Sequence, residues 1–339
     1  MHPLTRCAFN LWNLRKIDTE ALAAQRFVIA VDASLEIFDA EAERLFAEWL
    51  RVPVAVEQLV RLGEAVRPGD VVLLATESPL IPSQRDALLA EGCIAVVDAA
   101  YPEASSFASD CLREVAHHEF ELGGLNEWNG APTLHASEIL RRLSAAHCRR
   151  SFPEQILRSL GLLQPNLDVV DIGCGPISLL RWGQMNLGFR VTGFDPLMGI
   201  YDFIKRRHGL HLLPAISPDH AIEDVFENAL SHLAPTSIDL IYSNNALDHV
   251  QDFARCIRNI ATVLRPGAVA IVSGSTKEGT QQNWDQFHKT DVWVESDVPM
   301  FRFQHSAPEP LLALDSRLVV HAVIRADDQV TCFVLRRRQ

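Results

Sequence analysis

Three groups of residues in this 339-residue chain have the types and spacing to do chemistry. The first is the run LDVVDIGCGPISLL (167–180), where Asp171 stands two places before Gly173 and Gly175 completes a G-x-G turn. Glycines at such a turn let the backbone approach a ligand, and a helix start offers unbonded N–H groups. The nicotinamide-type fingerprint asks for G-x-G-x-x-G, but the third position here is Ser178. A carboxylate at Asp171 repels a pyrophosphate and suits a ligand bearing an amino group and a sulfonium. The second group is Asp195, 20 residues after Gly175 at the tip of RVTGFDPL. A carboxylate there can accept bonds from both hydroxyls of a ribose, or cap the helix that follows Pro196. The third group is Asp248 and His249 in SNNALDHVQD, together with His288 in the long stretch 276–305. An imidazole, largely neutral at pH 7, can take the proton of a hydroxyl nucleophile.

These residues need a scaffold that brings strand ends together, and the hydropathy pattern supplies one. From 168 onward, runs at 168–173, 190–195, 211–216, 238–244, 268–274, 318–325 and 330–337 read as strands. Helical patterns at 177–187, 199–208, 220–232 and 252–264 separate the first five. Only Ala326-Asp327-Asp328-Gln329 joins the last two, which is too short for a parallel crossover, so they pair as an antiparallel hairpin. The expected fold is α/β: a mostly parallel seven-stranded sheet closed by that hairpin. Asp195, Asn244 and Asn245 then fall at the carboxyl ends of strands, where doubly wound sheets bind ligands.

Upstream, FVIAVD (27–32), VVLLAT (71–76) and IAVVDA (94–99) read as strands, with helical patterns over 35–50, Val54–Ala65 and Ile81–Glu91. This is a smaller α/β domain, placed at 1–122, with no glycine-rich phosphate loop. Residues 123–165 read as a linker and entry helices, and 166–339 as the larger domain. The smaller domain is expected to supply substrate walls or an interface between two copies of the chain.

Composition narrows the class. Forty-three acidic against 31 basic residues give a formal charge of -12, which speaks against a nucleic-acid partner. The basic runs Lys205-Arg206-Arg207, Arg149-Arg150 and Arg336-Arg337-Arg338 read as solvated helix ends and a tail. No window reaches the roughly 18 apolar residues of a membrane span, and the N-terminus lacks the apolar core of a secretory signal. Seven scattered cysteines without C-x-x-C read as reduced thiols, and the expected location is the cytoplasm. His117 and Glu121 stand at i, i+4, but two ligands without a third make no metal site, and none is expected. Cys174 reads as a small filler between the two glycines.

The motifs VVDIGCG (169–175), VTGFDPL (191–197), IDLIYSNNALDHVQD (238–252) and VLRPGAVAIV (263–272), in this order, resemble class I S-adenosylmethionine-dependent methyltransferases. The resemblance covers about 150–339, and GCGPISLL with FDPLMGIYDFI is similar to a branch acting on sugars and small natural products. It implies a Rossmann-like domain whose sheet ends in an antiparallel strand, S-adenosylmethionine as cofactor, and a small-molecule acceptor methylated on oxygen or nitrogen. It further implies that Gly173, Cys174 and Gly175 cradle the methionine portion, with Asp171 near its amino group. Asp195 and Pro196 meet the ribose, Ala215 and Ile216 the adenine, and Asn244 and Asn245 lie under the sulfonium. The adenine motif is degenerate, with Ser217-Pro218 where an acidic residue is common. His249, paired with Asp248, is the candidate general base. The stretch 276–305, with Trp284, Phe287, His288, Trp293 and Phe301, reads as a substrate lid through which His288 touches the acceptor. The competing reading of that stretch is a β-extension packing its aromatics onto the sheet. An RNA methyltransferase, a domain that has lost catalysis and binds a partner, and a hydride-transfer enzyme are the alternative functions.

Overall fold

Apolar residues occupy both alternating positions of the long strands, which is the pattern of strands buried on two faces. The computed structural model describes residues 27–31, 59–61, 71–75, 95–97, 111, 114–118, 154–207, 218–284, 288–325 and 330–339. The chain divides into two units, Met1–Ala136 with Gly199–Leu212, and Ser137–Met198 with Leu213–Gln339.

The first unit contains a parallel sheet of β1 (Phe27–Val31), β2 (Leu59–Arg61), β3 (Val71–Ala75) and β4 (Ala95–Val97), in the order β2-β1-β3-β4. β2 lies within Val54–Ala65, read from the sequence as helical. Its three residues pair with Ile29–Val31, and the ladder overrides a weak local helical pattern. The predicted helices 35–50 and 81–91 lie outside the described residues, as does Glu121. His118 Nε2 lies 3.1 Å from Glu114 Oε1 one turn earlier in the same helix.

The second unit is built on seven strands: β5 (Asp168–Ile172), β6 (Arg190–Phe194), β7 (His220–Ile222), β8 (Ile238–Asn244), β9 (Leu264–Ser275), β13 (Leu318–Arg325) and β14 (Val330–Arg337). Their order is β13-β14-β9-β8-β5-β6-β7, parallel except for β14, which runs antiparallel to both of its neighbours. The predicted hairpin closure is therefore present. The edge strand differs from expectation: β7 begins at His220, inside a segment read as helix 220–232, while 211–217 lies outside the described residues. Asp219 explains the placement, because its Oδ2 accepts the Val191 amide at 2.8 Å and its Oδ1 the Gln184 side chain at 2.7 Å. Apolar Ala221, Val225, Phe226 and Ala229 mimic a helical stripe, but only Phe226–Ser231 forms a 3₁₀ turn.

Helix α1 (Glu154–Ser159) precedes β5, α2 (Arg181–Leu187) follows it, and α4 (Phe253–Val263) joins β8 to β9, whereas α3 (Met198–Arg207) belongs from Gly199 onward to the first unit. One sheet face packs Val170, Ile172, Ile241, Ala270, Val272, Phe333 and Leu335 against Phe253, Ile257 and Ile260 of α4. The other packs Val169, Val191, Leu240, Tyr242, Ile271 and Val334 against Ile156, Leu157 and Leu180. Asp252 caps α4, its Oδ1 accepting the Arg255 amide at 2.8 Å.

Between β9 and β13, a short helix α5 (Glu278–Gln281) precedes an antiparallel sheet of β10 (Thr290–Glu295), β11 (Val298–Phe303) and β12 (Glu309–Pro310). The long connection is thus largely a β-extension. Phe301 stacks on Phe253 of α4 with centroids 5.2 Å apart, Trp293 is buried, and Trp284 crowds Gly279. Three of the aromatics read as lid residues are structural, and Phe287 lies outside the described residues. Among the described residues no helix is long and apolar enough to cross a membrane.

Candidate functional site

Strand register sets the site. Ile172 of β5 pairs with Phe194 of β6 on one side and Ser243 of β8 on the other, so three strands end level. Asn244, Gly173 and Asp195 therefore follow one another along one edge of the sheet.

Gly173 leaves β5 with φ +62°, and its amide donates to the Phe194 carbonyl at 2.8 Å. A Cβ at 173 would collide with the Ala246 side chain, so the turn has room only for glycine. Gly175 also has positive φ, +59°, and its amide donates to Asp195 Oδ2 at 3.1 Å. Cys174 is buried beneath the turn: a Cβ on Gly193 would come within 2.8 Å of its Sγ. Its side chain fills space, and what it offers the site is backbone.

Asp171 is buried at 3% exposure, and its Oδ2 accepts the Ser178 hydroxyl at 2.6 Å. Ser178 Oγ in turn accepts the Leu180 amide at 3.1 Å. Burial pushes the Asp171 pKa up to about 7; the Ser178 bond works against that rise and the charge of Asp195 adds to it. Asp195 takes the capping role weighed for it and adds a second one. Its Oδ1 accepts the Leu197 amide at 2.9 Å as a turn cap around Pro196, while Oδ2 braces the glycine turn.

Beyond β8, Asn245 adopts φ +53°, and its Oδ1 accepts the Ser275 amide at 2.9 Å. Asn244 Oδ1 accepts the Ser273 hydroxyl at 2.8 Å. These amide oxygens tie β8 to β9, so the two asparagines shape the edge of the sheet. Ala215 and Ile216 lie outside the described residues. The edge strand nearest Asp195 ends instead at Ile222, whose carbonyl accepts the Asp195 amide at 3.1 Å.

The loop after β8 then meets the segment before β10. The Asp248 carbonyl accepts the amides of Lys289 at 2.8 Å and Thr290 at 3.1 Å. This brings three predicted residues together. Asp248 Oδ2 lies 2.7 Å from His288 Nδ1 and 3.4 Å from His249 Nε2, and the two imidazoles meet edge to face at 4.6 Å. Burial alone would raise the Asp248 pKa, but the paired imidazoles outweigh it, with His249 the stronger influence. The carboxylate is held well below its usual range and stays ionised. His288 is buried, with Nε2 3.7 Å from Glu278 Oε1, whereas the side chain of His249 is 24% exposed.

Four supporting residues carried little signal in the sequence. Ser178 stood out only as a missing glycine, and Ala246 as an ordinary small residue. Glu278 sits in a polar run, TKEGTQQN. Glu227 resembled a solvated helix position, yet it is buried, and its Oε1 accepts the amides of Gln251 at 2.7 Å and Asp252 at 3.0 Å. It fixes the far end of the loop that carries Asp248 and His249.

Residues 144–313, half of the chain, match the family model described as Methyltransferase domain. Over 99 residues the chain is 33% identical to a ubiquinone biosynthesis O-methyltransferase of Albidiferax ferrireducens, covering 29% of this chain and 37% of that protein. A protein of the same name from Stutzerimonas stutzeri is 34% identical over 106 residues, 31% of this chain and 43% of its own length. The matched stretch thus spans about two fifths of these relatives. A solved SAM-dependent methyltransferase from Aquifex aeolicus superposes with a TM-score of 0.37 at 14% identity, covering 59% of this chain and 97% of that one. With half of its length matched, the chain belongs to the methyltransferase-domain family.

Proposed function

We propose that the protein binds S-adenosylmethionine and methylates an oxygen of a small-molecule acceptor. The observation that carries this reading is the single edge on which the glycine turn, Asp171, Asp195 and the Asp248–His249–His288 cluster all lie.

The residues fit the donor. Gly173 and Gly175 hold a turn without side chains at a place where a Cβ at 173 has no room. Asp171, neutral or charged near pH 7, gains a reason to ionise when an ammonium approaches. Asp195 is oriented by two backbone amides, and each oxygen of a carboxylate can accept more than one hydrogen bond, so ribose hydroxyls can be added. The adenine wall falls to the end of β7, at Ile222 and Glu223, in place of Ala215 and Ile216. S-Adenosylmethionine supplies a methyl group on a sulfonium: the acceptor's C–O bond forms as the C–S bond breaks, leaving a neutral thioether.

On the acceptor side the chain orients a hydroxyl and draws off its proton. His249, the more open imidazole, meets the acceptor, and the ionised Asp248 between the two rings favours positive charge at the cluster. Two curated relatives are named O-methyltransferases, which supports oxygen over nitrogen. The formal charge of -12 supports a small acceptor over RNA.

Calorimetry of the full chain with S-adenosylmethionine tests the reading. One site per chain is expected, with binding weakened in Asp195→Ala. Binding of NAD and none of S-adenosylmethionine would overturn it.

A further inference from the structure

We propose that Asp248, His249 and His288 form a binding site for one divalent transition-metal ion of the zinc class, through which the acceptor oxygen is held. This rests on the reading above that the cluster is where the acceptor meets the protein, and it names the agent that acts there.

The donor set comes first. One carboxylate oxygen and two imidazole nitrogens lie within 4.8 Å of one another. Two nitrogens and one oxygen suit zinc, cobalt, iron or manganese, whereas magnesium and calcium favour oxygen donors throughout. An ion bound at about 2.0–2.2 Å separates adjacent donors by roughly 3–3.5 Å. Asp248 Oδ2 and His249 Nε2 already stand 3.4 Å apart. His288 Nδ1, at 2.7 Å from the same oxygen, needs to move outward by about 0.3–0.8 Å.

The frame around these donors is fixed without an ion. The Asp248 carbonyl joins its loop to the His288 segment through the amides of Lys289 and Thr290, and Glu227 clamps the loop two residues beyond His249. The orientation of His288 is the second independent sign. With Nδ1 turned to Asp248, its other ring nitrogen faces Glu278 Oε1 at 3.7 Å. Metal-bound histidines commonly direct their second ring N–H to a carboxylate, which fixes the tautomer and raises the basicity of the ligating nitrogen. Three protein donors leave a coordination position open, as catalytic sites do. With His249 as its ligand, the ion in place of the imidazole would acidify a hydroxyl or phenol held there, the proton passing to solvent.

The test uses the full chain freed of metal with EDTA, then titrated with Zn²⁺ by calorimetry and with Co²⁺ by visible absorption. One ion per chain is expected, with cobalt d–d bands showing imidazole ligation. His249→Ala, on the more open side of the cluster, should weaken binding by more than about 100-fold. Glu278→Gln should weaken it by roughly 10- to 100-fold, the scale of losing a partner that orients a ligand. His321→Ala, on β13 beside Arg336, should change nothing. Absence of saturable binding by the unmodified chain, or affinity that survives His249→Ala, overturns the proposal. S-Adenosylmethionine titrated into the same metal-free protein separates the two readings. If it binds while no metal does, only the metal site fails; if it binds in neither form, the methyltransferase reading fails first.

Discussion

The backbone amide of Gly175 donates to Oδ2 of Asp195 at 3.1 Å, so the turn leaving β5 and the tip of β6 are one hydrogen-bonded unit. A residue expected to hold ribose also shapes the glycine turn. Losing its carboxylate should disturb both ends of the donor site. Asp195→Ala should weaken S-adenosylmethionine by about 1.5–3 kcal/mol, the scale of hydrogen bonds to a charged group. Asp195→Asn keeps an acceptor for Gly175 and should lose less. Calorimetry giving equal losses for the two variants would show that the charge, and not the brace, is what matters.

Asp171 predicts a pH dependence of defined sign. Its folded-state pKa is about 7, above the ordinary 3.8, so the folded protein holds a proton that the unfolded chain releases. This group's contribution to stability is therefore greatest below about pH 4, falls as pH rises, and levels off above about 7. Donor binding runs the other way, because an ammonium favours the ionised carboxylate. Affinity for S-adenosylmethionine should rise by up to about tenfold per pH unit below 7 and then flatten. Asp171→Asn should flatten the whole curve; titrations at four pH values that leave the parent curve flat would remove Asp171 from the donor site.

Gly173→Ala should be among the costliest small substitutions in the second unit. The positive φ costs about 1–2 kcal/mol, and the clash with Ala246 adds about 1–3 kcal/mol. Ala246→Gly should restore part of the loss by removing the colliding methyl. Gly267, with φ +81° and open space around it, is the control: Gly267→Ala should show only the conformational cost in a thermal melt.

His249→Ala should lower kcat by about 10²–10⁴ while affinity for the methyl donor stays nearly unchanged. A variant with unchanged kcat and KM on the true acceptor removes His249 from the site and leaves His288 as the residue to test.

Glu227→Ala deprives the amides of Gln251 and Asp252 of their acceptor and should cost about 1–3 kcal/mol of stability. The loop carrying Asp248 and His249 loosens with it, so kcat should fall as well. Glu227→Gln keeps an accepting oxygen and should recover most of both; recovery of the melting temperature without recovery of kcat would mean that the loop's precise position does not matter.

Much of the sheet was written in local pattern. The strands at β5, β6, β8, β13 and β14 are apolar runs whose period distinguishes them from the helices between them, and the four-residue link 326–329 forced the antiparallel closure. Asp171, Gly173, Gly175 and Asp195 were recognisable because close backbone approach demands glycine and a strand tip exposes a carboxylate. β7 was misplaced because three residues carry too little period to register, and its position depends on Asp219 bonding to a neighbouring strand. The aromatics of 276–305 gave no sign of whether they would face a ligand or a helix; packing on Phe253 decided that for Phe301. Asp248 and His288 are 40 residues apart, and no spacing rule links them. Their contact exists because backbone amides of Lys289 and Thr290 found the Asp248 carbonyl, and such long-range pairing is settled only when the chain folds.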